Sequence, residues 1–290
     1  MKPAPFTYHA PKTIDEAVEI LGRDPDGSRV LAGGQSLVPM MNLRLATVDH
    51  LVDLNRIEGL DTVRVDSGRV VIGAGARQSD VERSPAVREK LPMLPAALGF
   101  VGHFANRNRG TVVGSICHAD PAAEMPAVWL TVGGELTATS ASGTRTLRPE
   151  DFFEGFLTTA LEPGEVATEV SFNTTNGTSA WSFKEVARRH GDFAMVGVST
   201  LLSVDDGSVT DPRIVVFAAG STPTRMTAAE RLLVGVDANA IDDALLDQVA
   251  AEVSAALSPG DDVHASGDYR RHVAGVLTRR GLRQSLERTR

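Results

Sequence analysis

The sequence predicts an α+β protein in two parts, and three observations carry that prediction. At 290 residues the chain has room for about two domains. Its middle is patterned as antiparallel strands separated by glycine turns, with helix signals interspersed. A polar, uncharged stretch, Asn173-Thr174-Thr175-Asn176-Gly177-Thr178, then separates this block from three further strand-like runs followed by helices.

Each element has its own signal. Thr13-Ile14-Asp15-Glu16 reads as a capping box, with Ile14, Ala17, Val18 and Leu21 on one face and Gly22 as the stop. Residues 29–32 and 51–54 read as short strands, the first buried. Residues 63–71 alternate around Asp66-Ser67-Gly68, a hairpin signal. Ser79-Asp80-Val81-Glu82 reads as a helix start, and Pro92 and Pro95 precede a core helix at Ala96-Ala97-Leu98. Gly133-Gly134 and Ser142-Gly143 bracket a strand pair at 135–139 and 144–147, and a strand follows at 165–172. Beyond the linker, strands are expected at 179–186, 194–204 and 213–219. Thr227-Ala228-Ala229-Glu230 opens a helix, and Ile241, Leu245, Val249, Val253 and Leu257 mark the stripe of another, ended by Ser258-Pro259-Gly260. The last segment, 269–290, carries seven arginines with Val273, Val276 and Leu277 on one face, and reads as a surface helix.

Composition removes several function classes. A net charge of -8 disfavours nonspecific nucleic-acid binding. A single cysteine excludes an internal disulfide framework and argues against an iron–sulfur cluster or cysteine-rich zinc site held by this chain alone. Among the seven histidines no i, i+4 pair with a third ligand makes a case for a metal, and neither G-x-S-x-G nor H-E-x-x-H occurs. No apolar run approaches membrane-spanning length, and Met1-Lys2-Pro3-Ala4-Pro5-Phe6 lacks the apolar core of a secretory signal, so a cytoplasmic protein without a membrane span is expected.

Two stretches carry chemistry. The strand at 29–32 runs into Gly33-Gly34-Gln35-Ser36-Leu37, an order that binds phosphate at the start of a helix. The loop has neither the spacing of a Rossmann glycine motif nor the lysine of a P-loop, and it also reads as a plain glycine turn. The second stretch, 107–124, passes from a basic, turn-forming end through Thr111, Gly114 and Ser115 to Asp120 and Glu124. Small residues let backbone N–H groups close on a phosphate. The two carboxylates, four apart, suit one helix face or a turn followed by a helix. A glycine turn before a buried helix is the plainer alternative. Two such cradles about 80 residues apart suit a ligand with two phosphates or a long body, and FAD fits that description. Cys117 reads as a packing residue; His118 sits where it could face a ligand. Lys184 and Asp192 read by themselves as surface charges on a hairpin, with a lysine near a flavin's pyrimidine carbonyls as the alternative. Phe193 would point opposite to Asp192 if both were in a strand.

Taken together, these residues resemble the medium, FAD-binding subunit of the molybdenum hydroxylases, the family of xanthine dehydrogenase and aerobic carbon monoxide dehydrogenase. Ala32-Gly33-Gly34-Gln35-Ser36-Leu37 resembles its first flavin motif, and Leu51-Val52-Asp53-Leu54-Asn55-Arg56-Ile57 the segment that follows. The stretch 107–124 resembles the second motif and its acidic end. Lys184, Arg188-Arg189 and Asp192-Phe193-Ala194 resemble the signature of the C-terminal domain, and 269–280 is also similar. The match spans nearly the whole chain in order.

The resemblance implies a two-lobed FAD-binding domain of the vanillyl-alcohol-oxidase (PCMH) type over 1–175, with lobes of about 1–54 and 55–175, followed by a small α+β CO dehydrogenase flavoprotein-like domain over 178–286. Carried over by position, residues 32–36 and 111–115 would cradle the pyrophosphate, and Glu124 would lie near ribityl or ribose hydroxyls. Ala167 and Lys184 would lie near the flavin ring, Val101 near the adenine end, and Phe193 over one ring face, gating it. Asp120, His118 and Asp192 complete the implied cofactor-binding set, with no protein acid or base required, because the flavin carries the chemistry. Electrons would arrive from 2Fe-2S clusters in a small subunit, after oxidation of substrate at a molybdenum cofactor in a large subunit, within a dimer of heterotrimers. A stand-alone FAD oxidase or dehydrogenase and a flavin-free scaffold are the rival readings. Two departures stand out. Val113 takes the place of the first of two glycines, which is costly if the backbone there needs positive φ or close approach to phosphate. Ala167 is smaller than the usual residue and leaves space beside the flavin.

Overall fold

The computed structural model describes residues 1–175 and 179–289, so the Asn176-Gly177-Thr178 part of the expected linker lies outside the described residues. The chain opens with β1 (Thr7–His9), α1 (Ile14–Arg23), β2 (Ser28–Leu31), α2 (Leu37–Asn42) and β3 (His50–Asp53). The three strands are parallel in the order β1-β3-β2, and the helices supply the crossovers that parallel pairing needs. Thr13 caps α1 by accepting from the Glu16 N–H. Glu16 in turn accepts from the Lys12 N–H rather than that of Thr13, so the return arm of the box is shifted by one residue. Gly22 lies inside α1 and does not stop it.

The middle block follows. β4 (Val63–Asp66) and β5 (Arg69–Gly73) form the expected hairpin, with positive φ at both Ser67 (48°) and Gly68 (76°), as a two-residue turn between twisted strands requires. Six helices come next: α3 (Gln78–Arg83), α4 (Pro85–Lys90), α5 (Met93–Leu98), α6 (Phe104–Arg107), α7 (Val112–His118) and α8 (Glu124–Val132). Then come β6 (Gly134–Ser140), β7 (Gly143–Leu147), α9 (Pro149–Phe152), β8 (Phe153–Gly155), β9 (Thr158–Thr159) and β10 (Val166–Asn173). The main sheet is antiparallel throughout, in the order β4-β5-β10-β6-β7. Helix α8 is buried along its whole length because it is packed against β10 of this sheet and against the sheet of the C-terminal part. The Trp129 indole N–H anchors it by donating to the Ser171 carbonyl at 3.1 Å.

The C-terminal part is a meander of β11 (Ser179–Ala187), β12 (Ala194–Asp205), β13 (Ser208–Phe217) and β14 (Thr224–Arg225), followed by α10 (Thr227–Arg231), α11 (Asp243–Ala256) and α12 (Gly267–Thr289). Strand β13 starts at Ser208 rather than Arg213 and runs through Pro212. The missing N–H is tolerated because β14 pairs only with Val215 and Val216, leaving that edge open at Pro212.

Helix α12 corrects the expectation of a surface helix. Ala274, Leu277, Leu282 and Leu286 are core residues, and Arg270 is itself buried, donating to the carbonyls of Met195 and Gly260 and to Asp262. Small residues at 274, 278, 281 and 285 let the helix lie close on β11 and β12; Thr200 and Ser285 hydroxyls meet at 3.0 Å. The arginines that suggested exposure sit on the flank: Arg279 and Arg283 pair with Asp247 and Asp243 of α11.

Candidate functional site

A cavity of about 800 Å³ opens where the parallel sheet, the helical side of the middle block and the β11–β12 turn converge. Two backbone turns that touch form one side of it. The first follows β2. Here Gly34 has φ +72°, and a Cβ on Gly33 would strike the Arg109 carbonyl and lie 2.6 Å from the Gly110 Cα. In the second, Thr111 caps α7 by accepting the Gly114 N–H at 3.0 Å, and a Cβ on Gly114 would lie 2.6 Å from that hydroxyl. Among the described residues, no acceptor meets the N–H of Gly34, Gln35 or Ser36 in the first turn, or of Val113 in the second. Open donors at two helix starts, facing one cavity, form a site for a bridging anion.

A polar chain centred on the buried Asp53 holds the two turns together. Tyr8 donates to Asp53 at 2.6 Å, and Asp53, 9% exposed, accepts from the N–H and side-chain amide of Asn55. The Asn55 amide also donates to the Ala32 carbonyl at 2.9 Å and its oxygen accepts from Arg77, whose guanidinium donates to the Arg109 carbonyl at 2.7 Å. One carbonyl belongs to each turn, so this chain sets the distance between them. The 51–57 segment was visible as a motif. Arg77 was missed, and a lone arginine before a helix carries no signal of a partner 22 residues away.

Val113 sits inside α7, outside the positive-φ positions, and is 2% exposed in the main core. The valine therefore brings no backbone strain, and the crowding that demands glycine falls on Gly114. Thr111, Gly114, Ser115 and residues 32–37 all line the cavity with Val113.

The acidic end follows a left-handed turn at Ala119 (φ 51°), and it is the arrangement of a turn before a helix. The Asp120 carboxylate accepts from the Ala122 N–H at 2.8 Å, and Glu124 starts α8. His118, Asp120, Glu124 and Ala167 line the cavity. Burial lowers the His118 pKa, against the pull of Asp120, and pushes the Cys117 thiol up to about 12, which leaves it inert. Glu124 is pushed up to about 8, by burial first and then by the nearby Glu185.

Val101 also lines the cavity, and Gly191 (φ +86°) packs its turn directly over Gly102 and His103. Val101 and Phe193 thus share one end of the cavity. Asp192 and Phe193 lie in the turn ahead of β12, not in a strand, so both reach the cavity; Phe193 is 71% exposed.

Lys184 does not line it. Its ammonium donates to Gln284 of α12 at 2.7 Å. The alternation of β11 is the reason: Phe183 packs against Phe100 and Phe217 on one face, while Ser182 and Lys184 reach Gln284 on the other. Glu185, which sequence reasoning passed over, is on the face turned toward Glu124.

Comparison with known proteins agrees with this geometry. Residues 4–173 match the family of the FAD binding domain in molybdopterin dehydrogenase, and 181–285 match the CO dehydrogenase flavoprotein C-terminal domain. The chain belongs to the FAD-binding medium subunits of the molybdenum hydroxylases. Caffeine dehydrogenase subunit beta of a Pseudomonas species is 34% identical, covering 99% of this chain and 97% of that one. Among solved structures, carbon monoxide dehydrogenase from Hydrogenophaga pseudoflava superposes with a TM-score of 0.95 at 34% identity, and quinoline 2-oxidoreductase from Pseudomonas putida 86 with 0.93 at 35%; each match covers 99% of both chains. The medium subunits are parts of multi-subunit oxidoreductases, and the α+β architecture of a FAD-binding part with a flavoprotein C-terminal part is theirs. Residues present here fit the cofactor: two linked anion cradles with open N–H donors suit a pyrophosphate, and the cavity extends from them to both the acidic turn and the 191–193 turn. Among the described residues, no helix is long and apolar enough to cross a membrane.

Proposed function

We propose that this chain is the electron-transfer flavoprotein subunit of a molybdenum hydroxylase complex, taking electrons from 2Fe-2S clusters of a small subunit and passing them through FAD to an external acceptor. The observation that carries the reading is the pair of touching cradles, clamped by Asn55 and Arg77, in a chain of this family. Bound FAD supplies the electron chemistry. The chain's own residues hold and shield it: residues 34–36 and Val113 offer N–H groups to the pyrophosphate, the 191–193 turn covers one end, and the buried carboxyl of Glu124 meets the ligand from the side.

Substrate oxidation belongs in this reading to a large subunit with the molybdenum cofactor, and the assembly is a dimer of three-chain units in the cytoplasm. The single cysteine supports the division of labour, since this chain has no thiolates for a cluster. We take 1–175 and 178–286 as the two functional domains. Absorption spectroscopy tests the proposal: the purified chain is expected to show flavin bands, or to acquire them with added FAD, and to co-purify with a molybdenum-containing and an iron–sulfur subunit. A complex that keeps full acceptor activity after its FAD is stripped would refute it.

A further inference from the structure

The seam between the middle block and the C-terminal part holds two glutamates that the cradle does not use. Glu124 is 7% exposed, at the first position of α8, and opens onto the cavity. Its carboxyl accepts from its own backbone N–H, which opposes the upward shift, and meets no side-chain donor among the described residues. Glu185 comes from β11, on the face shared with Phe183 and Phe217, and its Oε2 is buried with no hydrogen-bond partner. The Phe217 ring lies directly over Gly197, the residue paired with Glu185. The seam is fixed there by the Ala218 N–H, which donates to the Pro121 carbonyl at 2.8 Å, three residues before Glu124.

The groups around the pair give it no counter-charge. Asp120, in the turn before α8, adds a like charge, and His118 at the end of α7 is held neutral by burial. Around the cavity, Asp192 is acidic and Glu165 is taken up by Arg145. Arg29 donates to the carbonyls of Asp26 and Ser28. On the strands packed against α8, Arg213 pairs with Asp211 and Arg225 with Glu230. Two largely buried carboxyls at a seam without a cation cannot both ionise at low cost. FAD adds a pyrophosphate dianion to the same cavity, and an ionised carboxylate on the wall would repel it.

We propose that Glu124 enters the flavin site as a neutral acid that donates a hydrogen bond to an acceptor atom of FAD, and that Glu185, from the other domain, is the positioning residue that keeps it protonated. The role rests on the flavin reading above and makes the C-terminal part a determinant of flavin affinity without contact to the cradle.

The test is titration of FAD into the full chain, followed by flavin fluorescence, between about pH 6 and pH 9.5. The wild-type Kd is expected to be flat at low pH and to rise about tenfold per unit above the raised carboxyl value near 8. Glu124→Gln keeps a donor that cannot ionise, and its profile loses the break. Glu185→Gln removes the like charge, so the break moves to lower pH. A flat wild-type profile, or a break retained in Glu124→Gln, overturns the proposal. Infrared spectroscopy of the flavin-free chain reads protonation directly: a neutral-acid carbonyl band at pH 7 that Glu124→Gln removes is expected, and its absence overturns the proposal whether or not FAD binds. No flavin uptake at any pH would instead refute the flavin reading, and the donor role toward FAD with it.

Discussion

The two cradles solve one problem with different backbones. In the first, Gly33 lies against the Arg109–Gly110 backbone and Gly34 is left-handed, so glycine is demanded twice in succession. In the second, a capped helix start aims the N–H groups, and the crowding of its two glycines is by side chains, the Gln78 amide at Gly110 and the Thr111 hydroxyl at Gly114. A helix end presents donors with ordinary right-handed dihedrals and so accepts a valine at 113; an irregular loop pressed on another backbone does not.

Substitutions can sharpen or break that comparison. The largest effect is expected from Gly33→Val, which must push the two lobes apart: FAD affinity should fall at least about 100-fold, or about 2.7 kcal/mol, in a flavin titration, with a lowered Tm. Wild-type affinity in that variant would show that the lobes need not touch. Val113→Gly should lose about 2–3 kcal/mol of stability in urea unfolding, from lost core burial and helix propensity, while FAD affinity changes less than about threefold if backbone geometry alone matters there. A tenfold gain in affinity would mean that the valine obstructs the phosphate after all. For Gly114→Ala, a disturbed Thr111 cap should cost about 1 kcal/mol of stability, with flavin binding about tenfold weaker. Smallest of all, Lys184→Met should leave FAD affinity within about twofold, because the ammonium is bound to Gln284 on the far face of β11. A large loss would place the lysine back at the flavin.

Much of the site was legible in the chain because its parts are local. A glycine loop after a strand, and a threonine three residues before a glycine at a helix start, are patterns within one stretch of backbone, and 17 of the 18 residues expected at the cofactor line the cavity. The exception turns on parity. Lys184 and Glu185 are neighbours, and one residue of strand register decides which of them is on the face turned toward Glu124. Helix α12 failed for a related reason. Its composition is that of an exposed helix, yet the small residues at 274, 278, 281 and 285 decide its contact face.

The sequence by itself determined the α+β class, the hairpins, the Thr13 cap, both glycine-rich stretches and the family, since each depends on residues adjacent in the chain or on motifs in order. Only the tertiary structure decided that the cradles touch, that Asn55 and Arg77 join them, that Val101 and Phe193 share one end, and that Glu124 shares a seam with Glu185. Those contacts link residues 22 or more positions apart, and the hydrogen bonds and packing that select them exist only once the lobes have closed.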